Sequence, residues 1–164
     1  MSDLFNPRRL FADLLYEEMK KDDRIWVIVG DLGYKMWDEI RKDFPGRIIN
    51  VGAAEQLMLG VGVGLALQGK RPFCYSITPF LLYRPYEWIR NYLSHEKINV
   101  KLVGSGLGND YRHDGFTHHD FTSYEVLSDL GLRFLISPSL ENDFRISFNS
   151  FVSFEGPSVL ALRR

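Results

Sequence analysis

Six short apolar runs punctuate this chain, with helical stretches between them. The runs are "RIWVIVG" (24–30), "RIINV" (47–51), "PFCYSI" (72–77), "INVKLVG" (98–104), "RFLIS" (133–137) and "PSVLALRR" (157–164). A strand with one wet face alternates apolar and polar residues, whereas a nearly continuous apolar run belongs to a strand covered on both faces. Asn6-Pro7 opens the first helix, with Asn as its cap and Pro at its first position, and the helix runs to about Lys21. Further helices are expected near 35–43, 53–68, 81–94, 121–131 and 139–150, and Gly69 stops the second of these. Such alternation predicts an α/β fold: one domain over 1–164, with a doubly wound, mainly parallel six-stranded sheet and helices on both faces. Ligands of such sheets sit beyond the carboxyl ends of the strands. Here those ends are "GDLG" (30–33), "NVGAAEQ" (50–56), "SITPF" (76–80) and "GSGLG" (104–108).

Composition narrows the partners. A chain of 164 residues supports a proper core, since a domain of that size buries roughly 70% of its unfolded surface. The net charge of −1 gives no reason to expect a nucleic acid or an anionic membrane as partner. The single cysteine, Cys74, lies in a strand; this excludes a disulfide framework and fits a cytoplasmic setting. "MSDLFNPRRLFADLL" lacks the basic stretch and apolar core of a secretory leader, and no apolar run reaches membrane-spanning length. Aromatic residues make up 14%, many outside the strands, as in "FLLYRPYEW". That surplus points to an interface or a stacking ligand.

The segment "IINVGAAEQLMLGVGVGLALQG" (48–69) places one carboxylate, Glu55, in the first turn of an otherwise apolar helix. A carboxylate there is costly unless it is paired or performs chemistry. The helix dipole favours it, and a carboxylate in an apolar setting can be tuned to exchange protons. The glycines at 60, 62 and 64 lie too deep in the helix for a phosphate loop. Gly60 and Gly64, one turn apart, read as a small-residue stripe for close packing. "GSGLG" is no nucleophile elbow, because Ser105 is flanked two residues away by Val103 and Leu107. "HDGFTHHD" (113–120) leaves three readings open: a metal site, a polar loop with Asp120 capping the next helix, and a loop that hydrogen-bonds a polyhydroxylated substrate.

"NVGAAEQ" (50–56), "PF" (72–73), Phe80 followed by "RPYEWIRN" (84–91), "INVKLVGSGLG" (98–108) and "GFTHH" (115–119) occur in a recognisable order. Together they resemble the pyrimidine-binding domain of transketolase-like, thiamine diphosphate-dependent enzymes, over about residues 7 to 164. The resemblance implies that Glu55 hydrogen-bonds N1′ of the cofactor's aminopyrimidine, a proton exchange that activates the thiazolium C2. It implies that Phe80 stacks on that ring, that Tyr83 lines the ring or the substrate, and that His118 faces reacting hydroxyls. Asp114 and Gly115 match the family's Asp-Gly just before that histidine, and Asp31 matches an acidic residue near the subunit interface. His113 and His119 fall in the same substrate-facing loop.

This sequence also departs from the family pattern. His119 stands where Gln is commoner, "DFTSYE" replaces an acidic pair, and Ile77 replaces an aromatic of some relatives. No Gly-Asp-Gly occurs to bind diphosphate and Mg²⁺. The expectation is therefore a chain that ends with the pyrimidine domain and supplies half a site. Thiamine diphosphate would be shared with a separate diphosphate-binding subunit that holds Mg²⁺, and the chain itself would pair as a homodimer within a heterotetramer. The implied reaction is transfer of a two-carbon ketol unit between sugars. The alternatives are a 1-deoxyxylulose-phosphate-synthase-like or 2-oxo acid decarboxylating subunit, and a catalytically silent domain of the same fold. Glu55, Phe80 and His118 together argue against the silent reading, and His118 argues against the oxo acid dehydrogenase type.

Overall fold

The computed structural model describes residues 5–164. Residues 1–4, the start of the expected domain and of the stretch read for a leader, lie outside the described residues. The strands are β1 (Ile25–Val29), β2 (Ile48–Asn50), β3 (Arg71–Ile77), β4 (Lys101–Ser105), β5 (Arg133–Ile136) and β6 (Ser158–Leu162). They form one six-stranded sheet in the order β2-β1-β3-β4-β6-β5. Every strand pairing in it is parallel.

The helices are α1 (Pro7–Lys21), α2 (Asp38–Asp43), α3 (Glu55–Leu67), α4 (Thr78–Tyr83), α5 (Tyr86–Trp88), α6 (Ser123–Asp129) and α7 (Glu141–Ser153). Alternate residues of each inner strand feed two separate cores. Val27, Val29, Phe73, Tyr75, Val103 and Leu160 pack under α1, α2 and α7. Ile28, Cys74, Leu102 and Val159 pack under α3, α4 and α6. This is the doubly wound architecture: burial on both faces explains why the strands read as continuous apolar runs. No helix among the described residues is long and apolar enough to cross a membrane.

Three segments are organised differently from the sequence reading. The helix expected over 81–94 is broken: α4 ends at Tyr83, Pro85 interrupts, and α5 continues into a π-helical stretch, Ile89–His95. Proline lacks the N–H that would continue the ladder and disfavours helix in the residue before it. The fourth strand begins at Lys101 rather than Ile98, because its pairing with β3 starts at Phe73↔Lys101. The 105–120 loop is folded, with 3₁₀ turns at Arg112–Asp114 and Phe116–His118 and an antiparallel bridge between Gly108 and Asp120.

The glycine stripe of α3 also divides differently. A Cβ on Gly62 would meet Cys74 Sγ at 2.9 Å, so this glycine lets α3 lie directly on β3. Gly60 faces the Trp88 ring of the same chain, and Gly64 faces open space. Within the domain the closest packing of α3 on the sheet is at Gly62.

Candidate active site

The sheet reverses its strand order around β1 and β3, and the crevice at that switch point is where open α/β sheets bind ligands. Glu55 is the first residue of α3 and stands at this crevice. It is only 2% exposed. Ser76, near the end of β3, donates its hydroxyl to Glu55 Oε1 at 2.8 Å. On the β1 side, a Cβ on Gly30 would lie 3.5 Å from Oε1 and 3.2 Å from Ser76 Oγ. The other oxygen, Oε2, accepts from Arg84 Nη1 at 2.7 Å.

Arg84 lies just past the end of α4, where Pro85 breaks the helix. Its guanidinium stacks over Phe80, 3.8 Å from the ring centroid. On Phe80 in turn stands the His118 imidazole, edge-on, with ring centroids 4.8 Å apart. His118 Nδ1 is 3.1 Å from Thr117 Oγ1. Beyond it, 6.3 Å between centroids, lies Tyr111, whose hydroxyl is 2.7 Å from Ser105 Oγ. A buried carboxylate, a guanidinium, an aromatic face and an imidazole therefore follow one another along the crevice.

At its far end Tyr111 lines a cavity of about 400 Å³, together with Arg8, Arg9, Lys35, Tyr75 and Arg164. Arg8 Nε is buried and has no hydrogen-bond partner among the described residues. Arg164 lies over the Tyr111 ring at 4.7 Å. Arg9 is engaged by Asp13 and, more loosely, by Glu39. An anionic group suits such a cavity, because unpaired guanidinium donors bind phosphate-like oxyanions with charge-assisted hydrogen bonds.

The other expected residues are distributed as follows. Tyr83 turns toward Thr122, with the two hydroxyls in contact, rather than toward Phe80. Burial raises the phenol's pKa. His119 diverges from its neighbour His118: it packs between Phe116 and Phe121, and with Tyr83 it lines an apolar cavity of about 330 Å³. His113 and Asp114 are exposed in their 3₁₀ turn. Asp31 is exposed beside Asn50, which donates to its carboxylate at 3.0 Å and accepts from its backbone N–H at 3.1 Å. Asn50 so ties the ends of β1 and β2 together and holds Asp31 at φ +56. Asp120 accepts from the hydroxyl of Ser123, the first residue of α6, at 2.6 Å, and burial raises its pKa. Among the described residues no three His, Cys, Asp or Glu side chains converge to hold a metal ion.

Sequence reasoning missed Ser76, Arg84 and the cationic cavity. Arg84 stood inside the quoted "RPYEWIRN", and Ser76 stood at a strand's carboxyl end. Only contact across the fold marks them as partners of Glu55.

Comparison with known proteins shows the family. Residues 5–164 match the family model of the transketolase pyrimidine-binding domain. The chain belongs to this family. It is similar to a 6-deoxy-6-sulfo-D-fructose transketolase subunit of Clostridium sp. (strain MSTE9), 32% identical over 96% of this chain and 49% of that protein. It is also similar to a 1-deoxy-D-xylulose-5-phosphate synthase of Bacillus velezensis, 30% identical over 94% of this chain and 24% of that protein. The structure of a split-gene transketolase, an inactive β4 tetramer, superposes with a TM-score of 0.83 at 26% identity, over 98% of this chain and 52% of that one. The chain thus spans about half the length of the first of these relatives.

Membership of this transketolase family implies thiamine diphosphate. The residues present fit its aminopyrimidine half. Glu55 would offer a buried carboxylate to a ring N–H, with one oxygen held by Ser76, and Phe80 would offer an aromatic face beside it; Arg84 contacts both.

Proposed function

We propose that this domain is the pyrimidine-binding component of a split transketolase-like enzyme that transfers a two-carbon ketol unit between sugars. The buried Glu55, placed at the sheet's switch point beside Phe80 and His118, is the observation that carries this reading. The cofactor would be shared with a separate diphosphate-binding subunit, which would also hold Mg²⁺. Self-association as a homodimer within a heterotetramer fits the outer face of α3, where Leu57 and Leu67 are exposed. We place the enzyme in the cytoplasm, in keeping with a free, buried thiol at Cys74.

The chain's own residues divide the work. Glu55 holds and exchanges the proton at N1′ of the aminopyrimidine, and the surrounding apolar helix keeps water from competing for it. Ser76 fixes the carboxylate's rotamer by donating to the oxygen that faces the sheet. Phe80 supports the ring plane. His118, edge-on to Phe80, is aimed at the hydroxyls of a bound sugar and can give or take their protons. The cofactor, when bound, supplies the carbanion chemistry at its thiazolium C2. The cavity around Arg8 and Arg164 takes the anionic end of the sugar, phosphate or sulfonate. The second reading, a synthase of the 1-deoxyxylulose phosphate type, is favoured by the similarity to the Bacillus velezensis protein.

The test is reconstitution. The chain, mixed with a diphosphate-binding partner, Mg²⁺ and thiamine diphosphate, is assayed with ketose phosphates against pyruvate as donors. Ketol transfer from the ketose supports the first reading, and decarboxylation of pyruvate selects the second. Absence of cofactor binding and of C2 proton exchange in the assembled complex would leave only the silent domain.

A further inference from the structure

The two contacts of Arg84 have a consequence for how a ring reaches Glu55. On the sheet side Oε1 is engaged: Ser76 donates to it, and Gly30 packs beside the pair. Oε2 is the oxygen turned toward the surface, and Arg84 Nη1 lies on it at 2.7 Å. The Glu55 side chain is 1% exposed and that of Arg84 44%, so the guanidinium is the lid between the carboxylate and solvent. The same guanidinium covers a face of Phe80 at 3.8 Å. A guanidinium is planar, carries N–H donors and stacks on aromatic faces. An aminopyrimidine protonated at N1′ is also planar, also donates an N–H, and also stacks. Both species would be recognised by one carboxylate oxygen and one aromatic face.

We propose that Arg84 is a displaceable cap on Glu55, which holds the carboxylate and Phe80 until the aminopyrimidine ring takes both contacts over. This rests on the function proposed above. The cap answers a physical need, since a buried carboxylate with no cation beside it is strongly destabilising. It also has a cost: a ligand that needs the uncapped form binds more weakly by the fraction of molecules uncapped. The backbone around Arg84 suits a side-chain swing. Pro85 is buried and anchors the chain next to it, while the long Arg84 side chain projects to the surface. Uncapping therefore needs no movement of α4.

Two measurements decide the matter. The first is thermal unfolding of the chain without cofactor, for the parent, Arg84→Met, Glu55→Gln and the double variant. The cap predicts that Arg84→Met lowers Tm by several degrees in the parent and has little effect beside Glu55→Gln, where no charge remains to be capped. Equal losses in both backgrounds overturn it. The second is stopped-flow association of thiamine diphosphate and Mg²⁺ with the partner-assembled complex. Arg84→Met should associate about tenfold faster, as for a cap in place roughly nine-tenths of the time. Arg84→Lys, which keeps the charge but loses the planar stack, should fall between, and it serves if the Met variant does not fold. A parent complex that binds cofactor while neither variant associates faster overturns the cap and leaves the proposed function standing. A parent complex that binds no thiamine diphosphate overturns both.

Discussion

Ser76 donates its hydroxyl to Glu55 Oε1 at 2.8 Å, across 21 residues of sequence and from a different element of the fold. The bond fixes which carboxylate oxygen faces the crevice. Removing it with Ser76→Ala is expected to cost about 1 kcal/mol of stability, the usual net worth of one such bond. It should also slow cofactor C2 proton exchange severalfold in the assembled complex, because the carboxylate would no longer be held in one rotamer. Denaturant unfolding and exchange measured by NMR after acid quench check the two effects separately. Unchanged exchange would reduce Ser76 to a core hydroxyl.

Glu55→Gln keeps the side chain's size and reach but removes its titrating proton. In the assembled complex, C2 proton exchange should fall on the order of 10²-fold or more, the scale for loss of a positioned acid–base group. The chain should still fold, since Ser76 can donate to the amide oxygen and the Arg84 side chain, 44% exposed, can turn to solvent. Exchange as fast as in the parent would take Glu55 out of the mechanism.

Phe80→Ala should weaken thiamine diphosphate binding by the complex by about 1 kcal/mol or more, the worth of an aromatic contact beyond its area. Phe80→Tyr should be milder. Calorimetry with Mg²⁺ present is the measurement, and three equal affinities would make Phe80 a packing residue only.

Arg8→Ala and Arg164→Ala should each raise KM for a phosphorylated ketose about tenfold, equivalent to about 1.4 kcal/mol of lost charge-assisted contact. A ketose without an anionic group should be handled nearly as by the parent. A uniform loss on both substrates would remove the cavity from sugar recognition.

Away from the site, Asp22 receives hydrogen bonds from Arg24 at 2.9 Å and from Arg71 at 2.8 Å, and these hold its carboxyl well below the usual carboxylate range. A folded-state pKa below the unfolded one adds stability above the ordinary value of about 3.9, and this is lost as pH falls through the folded value. Asp22→Asn should thus lower stability by about 1.5–3 kcal/mol at neutral pH. The parent and variant unfolding curves should converge as the pH drops below about 4. A gap that stays constant into acid would show that the carboxylate's charge is not what matters.

Local chemistry made much of this protein legible. Continuous apolar runs at Ile25–Val29 and Ser158–Leu162 announce strands buried on both faces, and Asn6-Pro7 announces a capped helix start, which the structure shows with Asn6 Oδ1 accepting from Arg8 and Arg9. Those signals depend on neighbours in sequence, so one sequence suffices to read them. Glu55 was legible for the same reason, as a charge in an apolar helix start. Its partners were not. Ser76 and Arg84 come from other elements, and Arg8 and Arg164 meet in one cavity from opposite ends of the chain. Lys101, inside a strand, is buried because Phe154 and Gly156 turn their carbonyls to its ammonium at 2.7 Å. The sequence by itself determined the strands, most of the helices and the odd carboxylate. Only the tertiary structure decided which oxygen of that carboxylate faces outward, what covers it and where a cationic cavity forms. The physical reason is that propensity and periodicity act over a few residues, whereas hydrogen bonds and ion pairs between side chains exist only once the sheet has brought distant segments within about 3 Å.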